Sequence, residues 1–258
     1  MSPTLAIVPV KIGRFDPAHV FPPNDPLTLP LFRLMLATDD VRHASVLFVM
    51  ADQQVRETTG IQSVLHGGRM WYLFRLLCAH LNEGGNALNT LLNCVADMRL
   101  KDLLRDKPAA TEALARLRPA FGKGTFIRNV RDWISSHYRQ EDIKRVYERD
   151  LAAIPARVDG SLVACEVGVL SHFIVTGVLA LHLMDAAAGA TNDEEFSERC
   201  GEVVDLAQDL STFVGHLIDA LLKERGVQTT LDTIEVPALL RAARDRVERE
   251  RGTPPGAS

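Results

Sequence analysis

No two of the four cysteines in this 258-residue chain stand in a redox or zinc-ligand spacing. Cys78, Cys94, Cys165 and Cys200 form no Cys-x-x-Cys pair, which excludes the common thiol-redox and zinc-finger patterns. All four sit in apolar helical contexts and are expected to be reduced core residues. Glu-x-x-His, the pair that carboxylate-bridged di-metal bundles require, is also absent. So is a full phosphate-loop pattern: Gly122-Lys123-Gly124-Thr125 precedes a helix but follows no strand. Met1 to Phe15 lacks a basic start, an apolar run and a small-residue cleavage site, so a cytoplasmic protein is expected. Alternating strand-like runs are scarce, and there is no repeat of fixed period.

What the chain does have is helical periodicity from Leu31 onward. Residues 1–30 carry seven of the 13 prolines and read as an extended arm. The spacing predicts helices over 31–57, with a break near Thr38-Asp39-Asp40, and over 61–93, with kinks at Gly67-Gly68 and Gly84-Gly85. Shorter helices follow over 98–106, 109–119, 125–138 and 140–153, and two long ones over 160–187 and 193–225. Thr125 and Asn192 are candidate N-caps, and Gly226 ends the last long helix. Pro237 opens a charged C-terminal helix, and 252–258 form a tail. The domain reading is an arm (1–30), one helical bundle (31–230) and a charged C-terminal segment (231–258). Val167 to Met184 holds 18 residues without formal charge, near the lower limit for a membrane span. Lacking flanking Lys or Arg, it is expected to be a buried bundle helix, with no membrane partner.

Charge is unevenly spread. Residues 99–149 hold 13 Lys and Arg against 7 Asp and Glu, leaving 16 basic against 26 acidic residues elsewhere. A basic stretch on an acidic body attracts a polyanion to one face. A solvated helical surface is the plainer account of the same residues.

Within that stretch, Arg131-Asp132 is followed by His137. A fixed cation and a group that exchanges protons near pH 7 are the parts needed to cleave a phosphodiester. On an ideal helix the arginine and histidine lie about 120° apart and about 9 Å apart along the axis, so they do not share one face. Ile127, Val130, Ile134 and Tyr138 form the apolar stripe beside them. Surface ion pairs explain Arg131 and Asp132 equally well. His80, His182 and His216 each precede an acid by three residues, a spacing that a hydrogen bond along the helix accounts for.

Arg131-Asp132-x-x-x-x-His137, with its setting from Ile127 to Tyr138 and then Glu141-Asp142-Ile143, resembles the R-x(4–6)-H motif of the HEPN superfamily. Met70 to Leu88 is similar to an earlier helix of such proteins, and the resemblance spans residues 30–155. It implies an all-α, antiparallel, HEPN-like multi-helix bundle that forms homodimers, with an extended N-terminal arm and extra C-terminal helices. It further implies metal-independent cleavage of RNA by its 2′-hydroxyl, ending in a 2′,3′-cyclic phosphate. His137 would be the general acid or base, Arg131 would hold the phosphate, and Asp132 would orient the histidine. Lys123, Arg128 and Arg139 are the accompanying phosphate-binding cations. No cofactor or metal is expected, and any antitoxin or regulatory partner would be a separate chain. Other members of the superfamily are catalytically silent and bind nucleotides or partner proteins instead.

Overall fold

The computed structural model describes residues 5–94, 97–122, 124–135, 144, 162–163, 172–173 and 193–237. In chain order they form β1 (Leu5–Gly13), α1 (Pro17–Val20), α2 (Thr28–Glu57), α3 (Gly60–Cys94), α4 (Asp97–Leu103), α5 (Pro108–Ala120) and α6 (Phe126–Ser135). The two-residue strands β2 (Leu162–Val163) and β3 (His172–Phe173) follow, then α7 (Asp193–Glu224) and β4 (Thr229–Pro237). The protein is an all-α helical bundle with a β-ribbon joining its two ends.

Three long helices build the core because each buries one stripe at helical spacing. From α2 come Leu31, Leu34, Thr38 and Val41, and from α3 Phe74, Leu77, Cys78, Leu81, Leu88 and Leu91. From α7 come Val203, Ala207, Leu210, Phe213 and Leu217. The long helix α2 packs along α3, α5 lies against α7, and α6 lies against α3. A smaller cluster of Ala51, Met70 and Leu73 closes the far end of the α2–α3 pair.

Two expected interruptions turn out to be structural devices. The helix α2 runs unbroken through Thr38-Asp39-Asp40: the buried Thr38 hydroxyl donates to the Leu34 carbonyl at 2.7 Å, which satisfies its polar group inside the helix. Asp40 caps nothing there and instead lies 3.8 Å from His80 Nδ1 on α3. Likewise α3 is continuous through Gly84-Gly85. A Cβ on Gly84 would come within 2.7 Å of Leu210 Cδ2, and one on Gly85 within 2.3 Å of the Phe121 ring. The glycines let α7 and the end of α5 approach the α3 backbone. They are there for contact.

The ribbon and the cysteines depart further from expectation. β1 and β4 pair antiparallel from Leu5–Pro237 to Gly13–Thr229, so part of the arm is a strand. Residues 231–237, the start of the expected charged C-terminal segment, belong to its partner β4. Pro9 fits because each strand of a two-stranded ribbon has an open edge, where a missing N–H removes no ladder bond. The threonines, Ile234 and Val236 give β4 its strand preference. The expected helix over 160–187 is interrupted where Leu162–Val163 pairs with His172–Phe173. The rest of that helix, the 18-residue uncharged segment apart from His172–Phe173, and the helix over 140–153 apart from Lys144 lie outside the described residues. Cys78 is buried, and burial first, then nearby Cys200, pushes its thiol pKa well above the ordinary value. Cys94, however, is exposed at the end of α3, so it is no core residue. Among the described residues no helix is long and apolar enough to cross a membrane.

Ion pairs between distant segments fix the helix ends. Asp25 accepts from Arg99 at 3.4 and 3.3 Å, from Arg225 at 3.0 Å and from the Leu27 amide at 3.0 Å. Arg116 of α5 grips the buried Asp209 of α7 through two 2.7 Å bonds. Lys107 donates to Asp219 at 2.6 Å, and that bond foremost raises the lysine pKa.

The chain turns out of α7 through Gly226 at φ 71°, with the Val227 amide bonded back to the Leu222 carbonyl.

The two glycine sites make opposite predictions. Gly85→Ala is expected to destabilise by about 2–3 kcal/mol through overpacking against Phe121. Gly67→Ala, with nothing within 4 Å of the added methyl, is expected to stabilise by about 0.5–1 kcal/mol. Chemical denaturation of both variants measures this contrast. A second prediction concerns acid. Burial raises the Asp25 pKa, but the Leu27 amide and the two arginines outweigh it and hold the carboxyl below its ordinary 3.8. A depressed folded pKa stabilises above the unfolded value and loses that contribution as pH falls through the folded one. Asp25→Asn should therefore cost about 1–2 kcal/mol at pH 7, and thermal melts should show the difference shrinking below pH 3.8.

Candidate functional site

The helix α6 follows a turn that positions its start. Gly124 takes φ 78°, a left-handed conformation suited to glycine. The Thr125 hydroxyl donates to the Gly122 carbonyl at 3.0 Å, and Asn129 closes the turn twice, its amide to Thr125 O at 2.9 Å and its side chain to Gly124 O at 3.4 Å. Thr125 thus bonds back into the preceding loop, beside the cap role expected of it.

One face of α6 is locked into the bundle. Val130 is fully buried and Ile127 nearly so, while the Phe126 ring lies 6.1 Å from that of Phe74 on α3. The charged residues flank that face. Side chains of Arg128, Arg131 and Asp132 are 39%, 37% and 46% exposed, so all three reach solvent while remaining partly ordered by the helix. Arg131 Nη1 lies 3.1 Å from Asp132 Oδ1, and Arg128 Nε lies 3.8 Å from Asp132 Oδ2. One carboxylate therefore sits between two guanidinium groups. The trio keeps a net positive charge and two planar donor forks.

The structure brings together Arg128, Arg131 and Asp132 of the sequence-derived set. Lys123, His137 and Arg139 lie outside the described residues. Asp132 engages the arginines, the ion-pair arrangement weighed above. His80 is beside Asp40, Glu83 accepts from Asn82 and Asn86, and Asp219 accepts from Lys107 and pairs with Lys223. His182 and Asp185 lie outside the described residues. Among the described residues no three His, Cys, Asp or Glu side chains gather where a metal ion would sit.

Local spacing gave no sign of the Asp25–Arg99–Arg225 cluster, whose members come from three distant parts of the chain. Its acid is largely buried, with 13% of the side chain exposed, and both arginines pair with it, Arg99 also reaching Glu224 at 3.8 Å. It is a clasp between segments.

Because the α6 arginines are half-exposed and pair with an equally exposed carboxylate, removing them should leave the fold intact. Arg128→Ala and Arg131→Ala are each expected to change stability by less than about 0.5 kcal/mol. Val130→Ala, on the other face, should cost about 2 kcal/mol. Urea titrations of the three variants separate the two faces. No family model, no curated protein and no solved structure matches this chain. What α6 does is therefore argued from its own residues and their geometry.

Proposed function

We propose that this protein is a HEPN-like RNA-binding protein and metal-independent endoribonuclease, working through the solvent face of α6. The observation that carries the reading is the placement of Arg128 and Arg131 within reach of solvent, half-exposed, on a helix whose apolar side is fixed in the core. They lie in the stretch where Lys and Arg outnumber Asp and Glu by 13 to 7. An RNA phosphate offers each guanidinium a bidentate acceptor, and it competes with Asp132 for donors that are only partly desolvated.

In this mechanism His137 removes the proton of the ribose 2′-hydroxyl, whose oxygen attacks the adjacent phosphorus. The 5′-oxygen leaves as it gains a proton, giving a 2′,3′-cyclic phosphate and a 5′-hydroxyl. Arg131 stabilises the extra negative charge on the phosphoryl oxygens in the transition state. Lys123, Arg128 and Arg139 guide the backbone. Since ideal helix geometry would set Arg131 and His137 about 120° apart, a second subunit completes the cleft in this reading. The setting is cytoplasmic, and a separate antitoxin or regulatory chain is the partner that restrains it.

A second reading has its own support. Asp132 already lies against both arginines, as in a protein that uses this face only for contact or for RNA and nucleotide binding. Cleavage of a fluorescent RNA in EDTA distinguishes the two. The nuclease reading expects wild-type activity and a loss of about 100-fold or more in both His137→Ala and Arg131→Ala. Equal background cleavage by all three proteins would discard it.

A further inference from the structure

The long helix α2 has an apolar face turned away from the core. Among the described residues seven large hydrophobic side chains are exposed, and five belong to this helix: Leu29 at 73%, Phe32 at 37%, Leu36 at 69%, Leu47 at 42% and Met50 at 38%. At 100° per residue these five fall within about 60° of arc, roughly opposite Leu31, Leu34, Thr38 and Val41. From Leu29 to Met50 the stripe is about 31 Å long. Its exposed area is roughly 500 Å² given these fractions, near the upper end of what a monomer leaves uncovered.

The order of residues along the stripe identifies what covers it. Two apolar ends flank a polar centre, and once the exposed His43 on the same arc is counted, residues 29, 32, 36, 43, 47 and 50 are spaced 3, 4, 7, 4 and 3, the same read in either direction. We propose that this face is the interface with a second copy of the chain, packed antiparallel across a two-fold axis between Asp39 and Asp40. Leu29 then faces Met50 of the partner subunit, Phe32 faces Leu47 of the partner subunit, and Leu36 faces His43 of the partner subunit. A self-complementary patch of this kind is what an isologous contact requires. Two copies would bury about 1,000 Å² of apolar surface before any rim is counted, which reaches the lower bound of a specific interface. The polar centre is already compensated within each copy. Arg42 Nη1 lies 3.8 Å from Asp39 Oδ1, and His80 Nδ1 lies 3.8 Å from Asp40 Oδ2. Asp39 therefore brings its own cation to the axis, and Asp40 its own imidazole neighbour.

The RNA reading also calls on a second subunit, at α6, so dimerisation alone does not separate the two; the glutamate variants on α2 and the Asp40→Cys link do.

Sedimentation equilibrium of the full chain tests it. The wild type should be a dimer, and Leu36→Glu and Leu47→Glu should each weaken the dimer at least tenfold. Both side chains are exposed, so unchanged circular dichroism is expected alongside, with melting lowered only as far as the lost dimer contributed to it. The axis is tested by oxidative cross-linking, with the linked peptides identified by mass spectrometry. Asp40→Cys lies beside the axis and should form a disulfide with its own copy. Leu29→Cys, about 31 Å from its copy in this arrangement, should not. A monomeric wild type, a dimer indifferent to both glutamates, or a Leu29→Cys link in place of the Asp40→Cys link would overturn the proposal.

Discussion

The bundle depends on how closely Leu210 and Phe121 approach the backbone of α3. At Gly84 and Gly85 there is no room for a Cβ, so the Leu210 side chain of α7 and the ring that ends α5 rest directly against the helix. The consequence runs outward. Phe121 begins the turn through Gly122 and Gly124 that aims α6, and α6 then buries Ile127 and Val130 against the same core. The outward direction of Arg128 and Arg131 follows from that chain of contacts. Two glycines set the position of a helix more than 30 residues later in the sequence.

Close packing alone does not fix how the ends of the elements meet, and here electrostatics takes over. Asp25, Asp209 and Asp219 are each largely withdrawn from solvent, and each is met by at least one Arg or Lys from another segment. A carboxylate left unpaired at such depth would cost far more than the pair returns in Coulomb energy. These contacts therefore act mainly as selectors: an arrangement that misplaces α5 against α7 strands Asp209 without Arg116. The bonds from Arg116 are bidentate, which adds an angular requirement to the distance.

Elements with strong local signals were legible in the sequence. The stripes of α3 and α7 predict their spans within a residue or two, and Gly226 marks the end of α7 because a left-handed C-cap has a residue preference. What failed was reading glycine and threonine by propensity. Gly84-Gly85 and Thr38 weaken an isolated helix, whereas in the bundle a neighbouring side chain or an i−4 carbonyl reverses their meaning. The β1–β4 ribbon was invisible for a different reason. Its partners are more than 200 residues apart, and the proline-rich composition around β1 argues for an arm until the other strand is known.

The candidate site was legible only as far as its helix. Periodicity correctly separated Ile127 and Val130, which are buried, from Arg128, Arg131 and Asp132, which reach solvent. It could not show that Asp132 would lie against both arginines, since residues one and four positions away compete for the same carboxylate. That competition bears on function. A carboxylate held between two arginines keeps their planes oriented while nothing is bound, and it lowers the gain from binding a phosphate by the interactions it gives up. A face built this way favours ligands that engage both guanidinium groups at once, because only they recover what is lost. On the RNA-binding reading proposed above, a polyanion with regularly spaced phosphates meets that condition better than a single small anion.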